Sequence, residues 1–327
     1  MNPQNDSTIT LGDNSVKDGP ATNCLFCASA LTLGPRHYFD TRFGHDSLYA
    51  VKACPCCGVV QTLPRPTPDD LKKLYERYYN FGGEHDTIYT RLRRRLFQSV
   101  LFRIWMRLDS DISFYTQKGH GRLLDVGCNE GRGLVLYRQN GFDVEGLELN
   151  EKAAAQARKA GFTVHAVALE DLLPSWFDVV VLSHVLEHAP DPRTFLSQVH
   201  SLLRPQGQLW VSCPNVRSWQ KTLFGRYWIN WHVPFHLSHF SAGQLDSLFE
   251  ECGYTVIKRK QASPSLWMAQ SLISLFFSRR GRPTREMRKA LLVAGLMIPV
   301  RFFLFPFLWA GNISGRGDCL LFQVKRK

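Results

Sequence analysis

Residues 122–150 read RLLDVGCNEGRGLVLYRQNGFDVEGLELN, and this stretch decides the fold. An apolar run ending at Asp125 and Val126 leads into a turn with glycines at 127, 131 and 133. A helical pattern follows, then a second apolar run closing on Glu148. Strand, glycine turn, helix and strand in this order make half of a parallel α/β unit that binds a nucleoside or dinucleotide. Gly127 lets the chain turn sharply. Gly131 is expected to keep side chains away from a ligand, and Gly133 to let helix and strand approach. Asn129 holds the middle position, where glycine is common. Asp125 suits an amino or ammonium group, directly or through water, better than a pyrophosphate. Glu148 is placed to accept from both ribose hydroxyls.

Outward from this stretch, strands and helices alternate. Strands are expected at about 122–126, 143–148, 163–167, 177–183, 207–213 and 254–260, with a last one, CLLFQVK, at 319–325. Helices are expected near 130–140, 151–160, 192–203 and 241–252. Such alternation predicts a parallel sheet with helices on both faces. Upstream, DLKKLYERYYNF reads as a short helix, and residues 88–117 as a longer amphipathic one, basic on one side. The 327 residues suffice for one large domain and a small one.

The formal charge is +12. That excess suits an acidic partner: nucleic acid, an anionic membrane surface or a phosphorylated substrate. Residues 1–20 lack a basic n-region and an apolar h-region and read as a disordered tail. A cytoplasmic, reducing setting is therefore expected, with the nine cysteines as thiols or metal ligands.

Five of those cysteines fall in residues 21–63. Cys24-x-x-Cys27 and Cys54-x-x-Cys57 are spaced as two knuckles that aim four sulfurs at one structural Zn2+, with Cys56 as a spare. So small a ribbon has little core, and zinc would contribute most of its stability.

The glycine turn with its strand-end acid resembles class I S-adenosylmethionine-dependent methyltransferases. DVGCNEGRG is similar to their first motif and GLELN to the acidic end of strand two. FDVVVLSHVLEHAPDP (177–192), LLRPQGQLWVSCPN and HLSHFSAGQLDSLFEECGY resemble the later blocks of the small-molecule branch shared with ubiquinone-biosynthesis O-methyltransferases. The resemblance covers roughly 120–262 and the final strand. It implies a doubly wound, seven-stranded Rossmann-like sheet with an N-terminal zinc ribbon and a C-terminal apolar insert. It also implies S-adenosyl-L-methionine as cofactor, its methionine part near Asp125, Gly127 and Gly131 and its ribose on Glu148, with Asn129 and Ser183 among the cofactor-binding residues. The adenine is expected against Leu149 and near Glu170, with Glu170, Asp171 or a backbone carbonyl as the N6 partner. The ribbon followed by LPRPTPDDLKKLYERYYNF resembles sugar methyltransferases of surface-polysaccharide clusters, which implies that Tyr75, Tyr78 and Tyr79 face either the acceptor or the domain interface.

Methyl transfer to a hydroxyl benefits from a base near the carboxyl ends of the strands. His188 is the first candidate, oriented by Glu187, and His236 the second. His184, Glu187 and His188 are also spaced to share one helical face. In metal-dependent relatives this run holds magnesium, but with an acid where this chain has His184. NWHVPFHLSHF adds His232 and His239 beside Trp228 and Trp231.

The expected organisation is a tail at 1–20, ribbon at 21–63, linker and helical region at 64–118, and core at 119–262. An apolar insert at 263–312 and a last strand with basic tail at 313–327 complete it. ALLVAGLMIPVRFFLFPFLWAG is about long enough to span a bilayer, yet Arg301, Pro299 and Pro306 interrupt it. One crossing would strand 319–325 beyond the membrane. The insert therefore lies in the interface, forms a soluble lid or dimer surface, or re-enters as a hairpin. Under the membrane reading, FFSRRGRPTREMRK meets anionic headgroups. The expected acceptor is a small or lipid-linked glycan. No Asn/Asp-Pro-Pro-Tyr run follows strand four, which argues against a nucleic-acid acceptor.

Overall fold

The structure, a computed structural model, describes residues 22–31, 35–78, 99–172 and 176–327. The expected tail at 1–20, Tyr79 and the first part of the helix predicted at 88–117 lie outside the described residues.

The glycine-turn stretch folds as its pattern dictates. β6 (Arg122–Val126) runs into α3 (Arg132–Gln139), then β7 (Asp143–Leu147) and α4 (Glu151–Lys159). Asn150 caps α4 by accepting from the Lys152 and Ala153 N–H groups. Ala153, Ala154 and Ala157 are buried, so small side chains let α4 sit close to the sheet. β8 (Thr163–His165), β9 (Phe177–Ser183), α5 (Pro192–Leu202) and β10 (Leu203–Pro214) continue the alternation. Asp191 caps α5, with Pro192 in the first turn. α7 (Ala242–Glu251) opens with a capping box between Ser241 and Gln244 and leads to β12 (Tyr254–Ala262); β13 (Cys319–Arg326) ends the chain.

One seven-stranded sheet runs β12–β13–β10–β9–β6–β7–β8. β6 to β10 are parallel, and β13 enters antiparallel between β10 and β12. Two buried apolar clusters cover its faces, one around Phe177, Phe249 and Phe322, the other around Tyr137, Phe162 and Trp210.

A second, antiparallel sheet has the order β11–β5–β4–β3. β3 (Tyr38–Phe39), β4 (Leu48–Ala53) and β5 (Val60–Leu63) belong to the cysteine-bearing segment, whose short β1 (Thr22–Asn23) and β2 (Ala30–Leu31) pair separately. β11 (Ser238–His239) comes from the histidine-rich block and pairs with β5. Two regions far apart in sequence thus share one sheet. α1 (Pro68–Tyr78) follows.

The helix predicted over 88–117 is corrected. Among the described residues it is α2, Val100–Asp109. Ser110 ends it with φ +109, and the Asp111 carboxylate then accepts from the backbone of Ser113, Tyr115 and Thr116. Such local side-chain bonding competes with a continued helix.

The insert forms α8 (Ser265–Phe277), α9 (Ala290–Phe303) and α10 (Phe305–Ile313). Among the described residues, no single helix is long and apolar enough to cross a membrane; α9 and α10 pass together but bend by 70°. Pro306, in the first turn of α10, has no N–H and its ring opposes a carbonyl four residues back, which breaks the run there. β12 and β13 flank the insert and pair with each other, so the chain returns to the side it left. Arg301 sits 4.0 Å from the buried Asp109 of α2 and so holds α9 to the body of the protein. Asp109 also accepts from the Ser265 N–H. In the basic turn, Arg280 pairs with Asp46, while Thr284 bonds to the Arg42 and Thr41 carbonyls. That stretch packs on the ribbon.

Candidate active site

The chain order reverses between β6 and β9, the switch point where open α/β sheets bind ligands. The glycine turn lies there. Gly127, at φ +73, donates to the Leu147 carbonyl, and a Cβ on it would meet Val185 at 3.1 Å. A Cβ on Gly131 would meet Ala157 of α4 at 2.9 Å, so its bareness also serves helix packing. A Cβ on Gly133 would lie 2.9 Å from the Asp125 carboxylate, which occupies that space.

Both acids stand at strand ends. The Glu148 oxygens accept from the Asn129 N–H at 2.9 Å and the Asn150 N–H at 2.8 Å. Each carboxylate oxygen has two lone pairs, so one on each is left for a ligand hydroxyl. Asn129 adopts φ +49, steadied by its side chain donating to the Gly127 carbonyl. Asp125 is buried and, among the described residues, accepts no hydrogen bond. Burial first, then the nearby Glu148 charge, pushes its pKa up to about 8. A cation bound beside it would lower that pKa again and hold the carboxylate ionised. Leu149 is 72% exposed, a bare apolar surface beside Glu148. Glu170 is exposed and accepts from Gln198 of α5. Ser183 ends β9 and donates to the Ser113 hydroxyl at 3.0 Å.

Beyond β9 the histidines gather. His184 takes the left-handed conformation, φ +58, a strained state for a non-glycine residue. The expected helical turn from 184 to 188 is a 3-10 turn covering only Leu186–His188. Glu187 is 1% exposed and neither oxygen accepts a hydrogen bond among the described residues. His184 Nδ1 is 3.6 Å from it and His236 Nε2 3.9 Å. His188 Nδ1 donates to the Phe235 carbonyl at 3.0 Å, which leaves the lone pair on Nε2. The Tyr75 hydroxyl also lies 2.9 Å from that Nδ1. His236 Nδ1 likewise donates to the Asn230 carbonyl at 2.8 Å. Burial lowers the pKa of His188, His232, His236 and His239, the last to about 3.

Glu187, His188 and His236 each offer a ligand atom within 4.8 Å of the others. The set is nitrogen-rich, which suits imidazole-preferring ions and does not fit magnesium.

Sequence reasoning missed a buried scaffold under this block. Asp318 accepts from the Ser218 hydroxyl at 2.5 Å, Trp228 Nε1 at 2.8 Å and Asn230 Nδ2 at 3.3 Å. Burial raises its pKa to about 7. The only sequence signal was an acid directly before an apolar strand. From the ribbon side, the Thr62 hydroxyl donates to the His236 carbonyl at 2.7 Å and accepts from His239 Nε2 at 3.1 Å.

Cys24, Cys27, Cys54 and Cys57 come together, with Sγ–Sγ distances of 3.5 Å for Cys24–Cys57 and 3.4 Å for Cys27–Cys54. Tetrahedral zinc with Zn–S bonds of ~2.3 Å needs sulfurs ~3.8 Å apart, so this set fits Zn2+. Cys56 is exposed and stays outside it.

Comparison with known proteins places the domain in a family. A family model described as a methyltransferase domain matches residues 91–259. The ubiquinone biosynthesis O-methyltransferase of Pseudomonas aeruginosa is 33% identical over 103 residues, covering 29% of this chain and 44% of the relative. The enzyme of that name from Pectobacterium atrosepticum is 29% identical over 138 residues, covering 38% and 57%. The chain thus spans about half the length of these curated relatives. A solved 1,6-didemethyltoxoflavin-N1-methyltransferase from Burkholderia thailandensis, with S-adenosylhomocysteine bound, has 16% identity and a TM-score of 0.45, covering 89% of this chain and 99% of that one. Since the family model spans more than half of its residues, the chain belongs to the methyltransferase domain family.

Proposed function

We propose that this chain transfers a methyl group from S-adenosylmethionine to a hydroxyl of a small or lipid-linked acceptor, most plainly a sugar of a surface glycan or glycolipid. One observation carries the cofactor half of this reading: Asp125, a buried carboxylate without a hydrogen-bond donor, stands beside a glycine turn and a pre-oriented Glu148. In this reading Asp125 accepts from the ammonium of the methionine part. Glu148 accepts from the ribose hydroxyls, and Leu149 packs on the adenine. The cofactor supplies an electrophilic methyl on a sulfonium.

The rest falls to the chain. His188 receives the acceptor's proton on Nε2, because the Phe235 carbonyl fixes the proton on Nδ1. Burial keeps the ring neutral and ready to accept near neutral pH. Glu187 then stabilises the imidazolium. His236 has the same tautomer and is the second candidate. The aromatic wall of Trp228, Trp231 and Phe235 excludes water. Residues 119–262 and the last strand serve as the catalytic core. The ribbon at 21–63 and the region at 64–118 serve as its acceptor side. The protein works at the inner face of a membrane, with the 263–312 insert against it.

The test is labelling with tritiated-methyl cofactor. Purified protein is added to extract from cells lacking the gene, and products are separated into lipid-linked, nucleotide-linked, polymeric and RNA pools. Label in a glycan or lipid-linked pool is expected. Label confined to RNA would sink the acceptor half of the reading.

A further inference from the structure

The α9–α10 pair is sparsely covered. Leu291 is 91% exposed, Phe303 80%, and Phe307 and Ile313 65% each. Within α10 only Leu308 and Gly311 are buried, Gly311 against the Trp219 ring. Contiguous apolar surface of this kind marks a place where something else sits. The charges beside it point to the occupant.

At the C-terminal end of α10 a cleft of about 490 Å³ opens between the 312–316 turn, the first residues of α7 and the end of β12. Ile313 belongs both to the apolar helix and to the cleft wall. Arg217, Arg259, Lys260 and Arg316 line it, and no acidic residue does. Arg259 is engaged with Asp246 at 2.7 Å. Arg217, Lys260 and Arg316 pair with no carboxylate among the described residues. Gln261, also in the wall, commits its oxygen to the Gly317 N–H and leaves its NH2 as a donor. A pocket of three uncompensated cations and an amide donor suits a phosphate. An apolar helix with Trp309 and Phe307 exposed at its rim suits the acyl boundary just beneath a headgroup layer.

We propose that this cleft binds the phosphate of a membrane lipid headgroup while α9 and α10 lie along the acyl boundary of the same leaflet. The site differs from the basic turn at 279–282, whose Arg280 is paired with Asp46 on the ribbon. It rests on the peripheral-membrane part of the proposed function and not on methyl transfer.

The test uses the full-length, zinc-loaded protein. Flotation is measured with vesicles of phosphatidylcholine alone and with about one third phosphatidylglycerol. The parent is expected to float with the anionic vesicles at least tenfold more than with neutral ones, with the difference shrinking at high salt. R217E/K260E/R316E is expected to lose that tenfold preference, and F303S/F307S to lose flotation on both vesicles. Cofactor binding, followed by calorimetry on the same samples, is expected to stay unchanged in all of them. Its loss would instead indict the methyl-transfer site or the folding of the variant, and R217Q/K260Q/R316Q then repeats the flotation test. Three results would overturn the proposal: equal flotation of parent and charge-reversed protein, saturable binding of inorganic phosphate without vesicle binding, or a sedimenting dimer that F303S/F307S makes monomeric.

Discussion

Tyr75 and His188 lie 113 residues apart in the chain, and the hydroxyl of the first stands 2.9 Å from Nδ1 of the second. The helix behind the ribbon therefore reaches the histidine nearest the proposed chemistry. Tyr75 also packs edge-on against Phe235, whose carbonyl shares the same Nδ1 proton. Replacing Tyr75 by Phe removes one neutral hydrogen bond, worth ~1 kcal/mol. The expected result is a roughly two- to tenfold lower kcat with unchanged cofactor affinity. H188A is expected to lower kcat by ~10²-fold or more. Steady-state rates on the labelled acceptor pool, with calorimetry alongside, check both. If H188A keeps parental kcat while H236A loses it, the base is His236.

Glu148→Ala removes a carboxylate that two backbone N–H groups orient. The loss combines the ligand's hydroxyl contacts with disorder of the turn. Charged hydrogen bonds are worth ~1.5–3 kcal/mol each, so cofactor binding is expected to weaken by about a hundredfold. Calorimetry with S-adenosylhomocysteine reads this directly, and parental affinity in the variant would refute the assignment.

Two buried carboxyls, Asp125 and Asp318, give stability a pH dependence of definite sign above ~6.5. Asp125 is pushed up to about 8 and Asp318 to about 7, both by burial first. In the unfolded chain such groups titrate near ~4. Between those values the folded protein holds protons that the unfolded one lacks, so the contribution of these two acids declines as pH rises from ~4 to ~8. Below ~6.5 the buried His188, His232, His236 and His239, whose pKa burial lowers, act with the opposite sign. Thermal melts from about pH 7 to about pH 8.5 should therefore show Tm falling. Cofactor should restore more of it at the alkaline end, where Asp125 is ionised. A flat profile without cofactor would contradict the buried state described for both acids.

Zinc should be stoichiometric and structural. Purified protein is expected to carry one ion per chain, and C54S to lose it. Because β5 of the ribbon pairs with β11, zinc loss should also loosen the histidine block. Proteolysis within 228–240, compared with and without chelator, reads this coupling.

Trp228 is fully buried and its indole donates to Asp318. W228A leaves a cavity and removes one of the three donors to the Asp318 carboxyl, and such aromatic truncations cost ~3–5 kcal/mol. A fall in the denaturation midpoint of matching size is expected.

How much of this was legible beforehand depended on range. The strand at 122–126, the acid at Glu148 and the helix at 151–159 were readable because each follows from residues a few positions away. The four sulfurs were readable from their spacing. The Tyr75–His188 contact, the Asp318 cluster and the pairing of β11 with β5 join segments 88 to 177 residues apart, and no local pattern encodes them. The helix predicted at 88–117 failed where Asp111 gathered nearby N–H groups into a turn. The packing of Gly131 against Ala157 could not be read in advance, because its neighbour in space sits on the next helix.

The apolar insert leaves the sheet from β12 and returns to β13, its immediate neighbour. Its ends are therefore held a strand's width apart, whatever lies between them. The two parts of the excursion are therefore under different constraints. α8 is buried beneath the histidine block and has to keep its apolar residues, whereas the solvent-facing sides of α9 and α10 are free to change in length and polarity while the glycine turn on the far strands keeps its shape.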